Sequence, residues 1–427
     1  MGRWRHYEDA TAARLESLVV NLLREENPAI MYDTHGFLFE REKMQRMKDG
    51  YPTKIIVGVP KETVPGERRV ALVPELVPKL TEAGLEVVVQ SGAGAEAGFL
   101  DSSYVEKGAR VEPDVLDKAD ILLKVQPPAA HEVEKIKEGA TLISFLQPYT
   151  NAADIQALAA RNVTAFSMEL MPRITRAQPM DALSAMSTVS GYKAVLIAAN
   201  HLSKFFPLLM TAAGTMTPAR VFVIGAGVAG LQAIGTAKRL GAVVEAYDTR
   251  PVVKEQVESL GAKFADLGLD TKDAQEKTGY AKAQSEEFYK KQQEMMSKYV
   301  AAADAVIPTA LVPGKRAPVL ITEEMVRGMR PGSVIVDLAA EQGGNCALTE
   351  PGQEVVRHGV VIIGTLNLPS TVPFHASQMY ARTVTNFLTH LLKEGRIHLD
   401  LNDELTRGPL ATHQGEILHE AVKAAVS

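Results

Sequence analysis

The sequence predicts a mixed α/β protein built on parallel sheets, and three observations support this fold class. Short apolar runs typical of strands alternate with helical segments, which is the pattern of parallel sheets covered by helices. The alternation occurs twice, beginning at Lys54 and again at Arg220. The length of 427 residues is sufficient for two or three domains at roughly 100–200 residues each. We therefore expect each series to form an α/β unit of its own.

The composition excludes several classes of protein. Hydrophobic residues make up 46% and charged residues 23% of the chain, close to the globular average, which argues against disorder. A formal net charge of -5 lacks the basic footprint of a general nucleic-acid binder. Cys346 is the single cysteine, so neither an intrachain disulfide nor a cysteine-rich zinc site can form. We predict a reducing compartment and no bound metal.

No segment is predicted to cross a membrane or to direct export. The longest suspicious window, residues 221–237, is shorter than the about 20 residues that a spanning helix needs, and it contains four glycines. The basic start of the chain is not followed by an apolar core, and acidic residues argue against a transit peptide. We therefore expect a soluble chain.

Residues 1–53 are predicted to be an N-terminal extension that contains a helix. Leu15, Leu18, Val19, Leu22 and Leu23 recur at the spacing of an amphipathic helix. Such a helix would pack on the main body or on a partner. A membrane-surface helix is the weaker alternative, because the polar face is mixed rather than basic.

The two series predict the remaining elements in order. In the first, we expect a helix over residues 75–84 and strands over residues 54–60, 85–90, 121–125 and 141–146. Much of residues 181–206 is apolar and free of proline, which predicts a helix that connects the two series. The strands of the second are predicted at residues 221–224, 243–247, 305–308, 334–338 and 360–363. Residues 270–298 indicate a solvated helix or a mobile flap, and a further helix is expected over residues 377–393.

A dinucleotide fingerprint opens the second series. The strand 221–224 enters G-x-G-x-x-G at Gly225, Gly227 and Gly230, with Val228 and Ala229 between the last two. The first glycine permits a tight turn, the second lets the backbone approach a pyrophosphate, and the third allows close packing of helix and strand. The N–H groups at the start of the following helix would bind that pyrophosphate.

An acidic residue ends the next strand, as the fingerprint requires. Asp248 follows Gly230 by 18 residues and can accept hydrogen bonds from the adenosine ribose. Its charge would repel a 2′-phosphate, which favours NAD(H) over NADP(H). Thr249 and Arg250 complete the predicted adenosine site, and Arg250 leaves NADP(H) open as an alternative.

Five further motifs make the chain from about Lys54 to Ser427 resemble the alanine dehydrogenase/nicotinamide nucleotide transhydrogenase family. They are KETVPGERRVALVP from residue 61, LKV from residue 123, MELMPRITRAQPMDALS from residue 168, TALVPGKRAP from residue 309 and VDLAAEQGGN from residue 336. The resemblance implies two Rossmann-like, doubly wound parallel-sheet domains with a cleft between them. The first would comprise residues 54–183 plus 375–427, completed by C-terminal helices, and the NAD(H)-binding domain would comprise residues 184–374.

Two branches of the family compete. Oxidation of an amino acid moves a proton as well as a hydride, and this needs a group that titrates near neutral pH. Alanine dehydrogenases place a histidine there, whereas this chain has Gln147, which cannot titrate. The acid of their D-Q-G-G run appears as Glu341. Arg69 and Lys124 either bind a carboxylate substrate or form ion pairs in the interior.

The transhydrogenase branch requires positioning of two nicotinamide rings rather than proton transfer. Arg173, Gln178, Asp181 and Ser184 resemble the family's Arg-Gln-Asp loop at matching spacing. The resemblance implies that the Arg, Asp and Ser hold the nicotinamide of NAD(H) and that the Gln reaches towards the second nucleotide. These four residues are the predicted catalytic set.

Other predicted site residues also come from the resemblance. Tyr192 would support the Arg-Gln-Asp loop, and Gly279 with Tyr280 would form the tip of a mobile loop that closes over nucleotide. Leu311 would form part of the nicotinamide or adenosine wall, or it packs in the core.

The resemblance implies the NAD(H)-binding component of a proton-translocating transhydrogenase, with direct hydride transfer between NADH and NADP⁺. One complete G-x-G-x-x-G unit is present, so NADP(H) would be bound by a partner subunit. A homodimer, joined to a membrane-spanning proton-channel subunit at the cytoplasmic, inner face of the cell membrane, is the expected assembly. The alternatives are a soluble alanine-dehydrogenase-like oxidoreductase and a non-catalytic NADH-sensing module.

Overall fold

The computed structural model describes residues 54–268, 286–312, 314–420 and 422–423. The predicted N-terminal extension, residues 1–53, lies outside the described residues, as do Gly279 and Tyr280. Elements are numbered along the described part of the chain.

The first series forms an eight-stranded sheet in the order β19-β18-β6-β5-β4-β1-β2-β3. Its strands are β1 (Ile56–Val59), β2 (Glu86–Gln90), β3 (Arg110–Glu112), β4 (Ile121–Leu123), β5 (Thr141–Ser144), β6 (Thr164–Ser167), β18 (Leu410–His413) and β19 (Glu416–Ile417). The strands from β6 to β3 are parallel, and β18 and β19 are antiparallel additions at one edge. The strand order reverses between β1 and β4, which leaves a crevice at their carboxyl ends.

The second series forms a seven-stranded sheet in the order β11-β10-β9-β12-β13-β15-β14. Its strands are β9 (Arg220–Ile224), β10 (Val243–Tyr247), β11 (Lys263–Phe264), β12 (Ala305–Pro308), β13 (Val334–Val336), β14 (Glu354–Arg357) and β15 (Val360–Ile363). All neighbours are parallel except β14 and β15. The strand order of this sheet reverses between β9 and β12, and the glycine fingerprint directly follows β9.

Helices cover both sheets. They are α1 (Val77–Glu82), α2 (Asp101–Glu106), α3 (Ala130–Val133), α4 (Ala152–Ala160), α5 (Ala182–His201), α6 (Val228–Arg239), α7 (Lys254–Ser259), α8 (Glu286–Ala302), α9 (Glu323–Arg327), α10 (Pro373–Leu391) and α11 (Glu404–Arg407). Alternate residues of one strand enter different cores: Ile121 and Leu123 of β4 join one cluster, and Leu122 joins another. Burial on both faces is characteristic of parallel sheets. The predicted mixed α/β fold class is confirmed.

Several local expectations needed correction. The tail was expected to add helices to the first unit, but it also adds β18 and β19 to the sheet. These strands are four and two residues long, too short to show a periodicity; β18 forms by pairing with β6, and β19 pairs with β18. The hairpin of β7 (Leu209–Thr211) and β8 (Gly214–Met216) was also missed, because each of its strands is only three residues long. A second small hairpin joins β16 (Leu392–Lys393) to β17 (Arg396–Ile397).

The connecting helix α5 is the one helix of the described residues that is long and apolar enough to cross a membrane. Its packing gives another account of that composition. α5 lies against α6 and α10, and Ala194, Val195 and Ala198 are buried in the core of the second sheet. The window 221–237, which looked suspicious in the sequence, divides into β9, a turn and α6.

Candidate dinucleotide-binding site

The turn after β9 is built on a glycine in a left-handed conformation. Gly225 has φ 96°, and its N–H donates to the carbonyl oxygen of Tyr247 at 2.7 Å. The hydroxyl of Thr309, directly after β12, donates to the Gly225 carbonyl at 3.1 Å. A Cβ atom on Gly225 would lie 2.5 Å from that hydroxyl oxygen. The turn is therefore tightly enclosed at the point where the strand order reverses.

The surroundings of the other two fingerprint glycines differ: Gly230 is enclosed, and Gly227 is open on one side. A Cβ atom on Gly230 would lie 1.8 Å from the Gly225 carbonyl oxygen, so no side chain fits between helix and turn. Around Gly227, by contrast, the nearest atom to such a Cβ is Nη2 of Arg250 at 3.9 Å, and this side is open. Gly227 is the N-cap of α6, and the N–H groups of the first turn, which includes Val228 and Ala229, have no intrahelical acceptors. This open helix end fits a pyrophosphate.

The carboxylate of Asp248 bonds to the turn and accepts four hydrogen bonds from its own chain. Its Oδ2 accepts from the N–H of Ala226 at 2.7 Å and from Nη2 of Arg250 at 2.8 Å. Its Oδ1 accepts from the N–H and Nε of Arg250 at 2.8 and 2.9 Å. The bonds to Asp248 raise the pKa of the Arg250 guanidinium. A carboxylate offers about four lone-pair sites. A ribose hydroxyl would therefore have to displace one of these donors.

The predicted Arg-Gln-Asp loop leads into α5. A short 3₁₀ helix, Thr175–Met180, precedes Asp181, which caps α5. Its carboxylate accepts from the Ser184 N–H at 2.8 Å and from the Ser184 hydroxyl at 2.5 Å. The side chains of Arg173 and Gln178 are exposed. The structure thus brings Asp181 and Ser184 together and leaves the arginine and the glutamine directed away from the buried core.

Helix α5 connects this loop to the glycine turn. A Cβ atom on Gly191 would lie 2.1 Å from the carbonyl oxygen of Ala229, so α5 touches the first turn of α6 backbone to backbone. Tyr192, on the same helix, is 41% exposed. Leu311, after β12, is 39% exposed and is therefore not an ordinary core residue.

The crevice of the first sheet holds a buried cluster of charges. Lys124, directly after β4, is fully buried, with Nζ 3.2 Å from Oε1 of Glu132 and 3.4 Å from Oε2 of Glu62. Arg69 is equally enclosed, and its Nη2 lies 2.6 Å from Oε2 of Glu67. Burial raises the pKa of Glu62, although Lys124 opposes this shift. Burial also acts to raise the pKa of Glu67, but hydrogen bonds from Arg69 and its charge outweigh it and lower that pKa to about 2.

Profiles of one known family match both halves of the chain. The profile of the alanine dehydrogenase/PNT N-terminal domain matches residues 58–190, and that of the C-terminal domain matches residues 194–420. The chain belongs to the alanine dehydrogenase/PNT family. Residues 1–53 lie outside both matches.

Individual relatives of this family agree with that assignment. The first part of the NAD(P) transhydrogenase alpha subunit of Rhodospirillum rubrum is 51% identical to this chain over 377 residues. The aligned residues cover 86% of this chain and 98% of that protein. The alanine dehydrogenase of Halomonas elongata is 32% identical over 379 residues, which cover 86% and 96%. The crystal structure of a transhydrogenase from Sinorhizobium meliloti is 44% identical and superposes with a TM-score of 0.77 over 85% of this chain and 99% of that chain.

Gln147 and Glu341, at which the resemblance contrasts two branches of the family, are held by different contacts. Gln147 has φ 52°, and its N–H donates to Oε1 of Glu169 at 2.8 Å. Glu341 accepts from the N–H of Asn367 at 2.6 Å. The side-chain amide of Asn367 in turn bonds to Glu67 at 2.9 Å and to Arg69 at 3.0 Å. Asn367 therefore connects the loop that carries Glu341 to the charge cluster of the first sheet.

Two residues that shape the site were missed in the sequence. Asp337, after β13, is fully buried, and it accepts from the N–H groups of Ala339 and Cys346 at 2.9 Å each. Burial raises the pKa of its carboxyl. Asn345 bonds to the backbone on both sides of the loop that carries Leu311. Both residues lie in the VDLAAEQGGN motif, but neither was given a role, because the predicted strand 334–338 included Asp337 and no spacing singled out Asn345.

Proposed function

We propose that this chain is the NAD(H)-binding component of a proton-translocating NAD(P)⁺ transhydrogenase. Hydride would pass directly between NADH on this chain and NADP⁺ on a partner subunit. The observation that carries the proposal is the contrast between the two crevices. The crevice of the second sheet presents an open helix end beside a glycine turn, whereas Arg69 and Lys124 in the first are paired with the chain's own carboxylates.

The first crevice is poorly suited to an amino-acid dehydrogenase. A carboxylate substrate would have to displace Glu67 from Arg69, or Glu132 and Glu62 from Lys124, where all of these side chains are buried. Gln147 offers no group that titrates near neutral pH. Direct exchange of hydride between nicotinamide rings needs no such group and depends on positioning in a dry site.

The proposed roles in the second crevice follow the fingerprint and the loop. Gly225, Gly227, Val228, Ala229 and Gly230 would hold the pyrophosphate. The adenosine would lie near Asp248, Thr249 and Arg250. The nicotinamide would be placed by Arg173, Asp181 and Ser184, with Leu311 as a wall and Gln178 towards the second nucleotide; Gly279 and Tyr280 would close over the site. The bound nucleotide supplies the hydride, and the protein supplies its orientation.

The proposed assembly includes a membrane-spanning proton-channel subunit and an NADP(H)-binding subunit, with this chain at the cytoplasmic face of the membrane. The relative at 51% identity is named as the first part of a subunit, which agrees with a complex whose remaining functions are carried by other chains. We also propose a homodimer in which the β7–β8 hairpin meets a second copy. This hairpin and its approach expose large apolar side chains: Phe205 is 58%, Leu208 52% and Met210 79% exposed.

The homodimer can be tested with one exposed charge. Met210→Lys should convert the dimer to a monomer in sedimentation equilibrium, because it places an ammonium group in the apolar contact. Val356→Lys is the control, since Val356 is 59% exposed on β14 and is not part of the hairpin. A Met210→Lys protein that remains dimeric would refute this interface.

The function is tested by supplying each possible second substrate. The purified chain should bind NADH, and with the NADP(H)-binding partner it should transfer hydride from NADPH to an acetylpyridine analogue of NAD⁺. Turnover of NADH with pyruvate and ammonia would instead establish the dehydrogenase. Binding of NADH without transfer in the correctly assembled complex would favour the sensing module.

The proposed role of Gln178 separates binding from transfer. Gln178→Ala should slow hydride transfer more than it weakens NADH binding, because the residue would reach the second nucleotide rather than the first. Gln256→Ala is a matched control, since Gln256 is another exposed glutamine and lies on α7. Equal losses of binding and transfer would show that the role is wrong.

A further inference from the structure

One side of the dinucleotide crevice is a short loop whose backbone is held from behind by a side chain. The loop begins at Thr309, whose hydroxyl bonds to the carbonyls of Ile224 and Gly225 at 3.2 and 3.1 Å. It continues through Ala310 to the exposed Leu311. Thr309 therefore binds the glycine turn directly, and Ala310 decides where Leu311 lies relative to that turn.

Asn345 fixes Ala310 through a closed pair of hydrogen bonds. Its Oδ1 accepts from the Ala310 N–H at 2.9 Å, and its Nδ2 donates to the Ala310 carbonyl at 2.9 Å. The same Nδ2 donates to the Pro318 carbonyl at 2.8 Å. The amide thus uses its acceptor oxygen and both of its donor hydrogens, and the side chain is fully buried. In this way one side chain supplies the backbone hydrogen bonds that a neighbouring strand supplies elsewhere in the sheet.

The backbone around Asn345 is itself anchored to the sheet. Its carbonyl accepts from the N–H groups of Leu320 and Ile321 at 2.8 and 3.0 Å. The next residue, Cys346, donates its N–H to Oδ2 of Asp337, and the Thr349 hydroxyl donates to the same oxygen at 2.6 Å. Since Asp337 directly follows β13, a continuous set of buried contacts joins that strand to Ala310.

We propose that Asn345 is a positioning residue for hydride transfer, acting on the nicotinamide pocket through Ala310 and Leu311. This inference rests on the proposed function. Asn345 holds the Thr309–Leu311 segment against the glycine turn, so that the exposed side chain of Leu311 limits where the ring can lie. Bonds from the pyrophosphate to the start of α6 do not depend on it. Loss of Asn345 should therefore disturb the geometry of the ring more than it disturbs nucleotide affinity.

The test uses two substitutions of Asn345 and a matched surface control. Asn345→Asp keeps the shape but turns acceptor oxygens towards the Ala310 and Pro318 carbonyls, and Asn345→Ala removes the amide. Asn402→Asp is the control, because Asn402 is exposed on a turn. In the assembled complex, we expect both Asn345 variants to lose about 100-fold in hydride-transfer rate, the scale of a 1 Å misplacement, with NADH affinity within about threefold of wild type. The control should match wild type in both.

A double-mutant cycle with Leu311→Ala shows whether the effect passes through Leu311. If it does, Asn345→Asp combined with Leu311→Ala should transfer hydride no more slowly than the slower single variant. Losses that multiply, a fall in NADH affinity equal to the fall in rate, or an unchanged rate would each overturn the proposal. Failure of both Asn345 variants to fold would mark the residue as purely structural and overturn it too. A wild-type complex that transfers no hydride would refute the proposed function instead.

Discussion

The contact between α5 and α6 leaves no room for a single methyl group, and this makes Gly191→Ala a sharp test of how the site is built. The added Cβ would lie 2.1 Å from the carbonyl oxygen of Ala229 and 2.9 Å from its carbonyl carbon. An ordinary contact between carbon and oxygen needs about 3.4 Å, so the helices must separate by roughly 1 Å. Because both atoms of Ala229 are backbone, no side-chain rotation can relieve the overlap.

The expected cost follows from that displacement. Overpacking of a tight core costs about 1–3 kcal/mol, and a backbone clash belongs at the upper end. The better helix propensity of alanine returns about 1 kcal/mol. The free energy of unfolding should therefore fall by about 2 kcal/mol. Ala229 lies in the first turn of α6, so its displacement should also cost about one charge-assisted hydrogen bond to a pyrophosphate, or at least about tenfold in NADH affinity.

The assay compares two substitutions of the same kind. Gly235→Ala lies in the middle of α6, where the added Cβ would meet no atom closer than Nη1 of Arg239 at 3.9 Å. It should stabilise the chain by about 0.5–1 kcal/mol and leave NADH binding unchanged. Thermal unfolding and NADH titration of both variants measure the contrast. Gly191→Ala with wild-type stability and NADH affinity would refute a role for this contact in positioning the start of α6.

Three further predictions concern single groups. Asp248→Ala should weaken NADH binding and reduce the preference for NADH over NADPH by about tenfold, because the guanidinium of Arg250 can then bind a 2′-phosphate. Direct titration with both nucleotides measures the ratio of the two dissociation constants, and an unchanged ratio would contradict this prediction. Burial acts to raise the pKa of Glu67, but hydrogen bonds and charge from Arg69, with bonds from Gln126 and Asn367, lower it from 4.5 to about 2, so the ionised Glu67 carboxylate in this network contributes about 3 kcal/mol of stability above pH 4.5, and this contribution is lost as the pH falls towards 2. Urea unfolding should therefore show Glu67→Gln to be destabilised at pH 7 and progressively less so below pH 4.5, and a difference independent of pH would speak against the pairing. Burial raises the pKa of the Cys346 thiol to about 11, so a disulfide reagent at pH 8 should leave it unmodified in the folded chain and modify one thiol in guanidinium; reaction in the native state would contradict its burial.

Much of the fold was readable because strong local signals coincide with buried elements. The strand 243–247 was predicted with the bounds it has in the structure, and the glycine turn after β9 lies where the spacing of Gly225, Gly227 and Gly230 placed it. Parallel strands are apolar on both faces, so their sequences differ clearly from those of the turns. The edge strand β18 could not be read, because its pairing with the distant β6, not its own sequence, makes it a strand, and β19 then pairs only with β18.

The α/β class, the position of the dinucleotide turn and the identity of the residues available for chemistry all follow from the amino-acid order. Those properties depend on local backbone preferences and on spacing along the chain, which need no tertiary information. The use of those residues, in contrast, is set by the folded chain. Folding pairs Arg69 and Lys124 with internal carboxylates, surrounds Asp248 with donors from its own chain, and places Asn345 behind Ala310. Such contacts join residues that are far apart in the sequence or compete for the same atoms, so their outcome depends on packing and electrostatics in three dimensions.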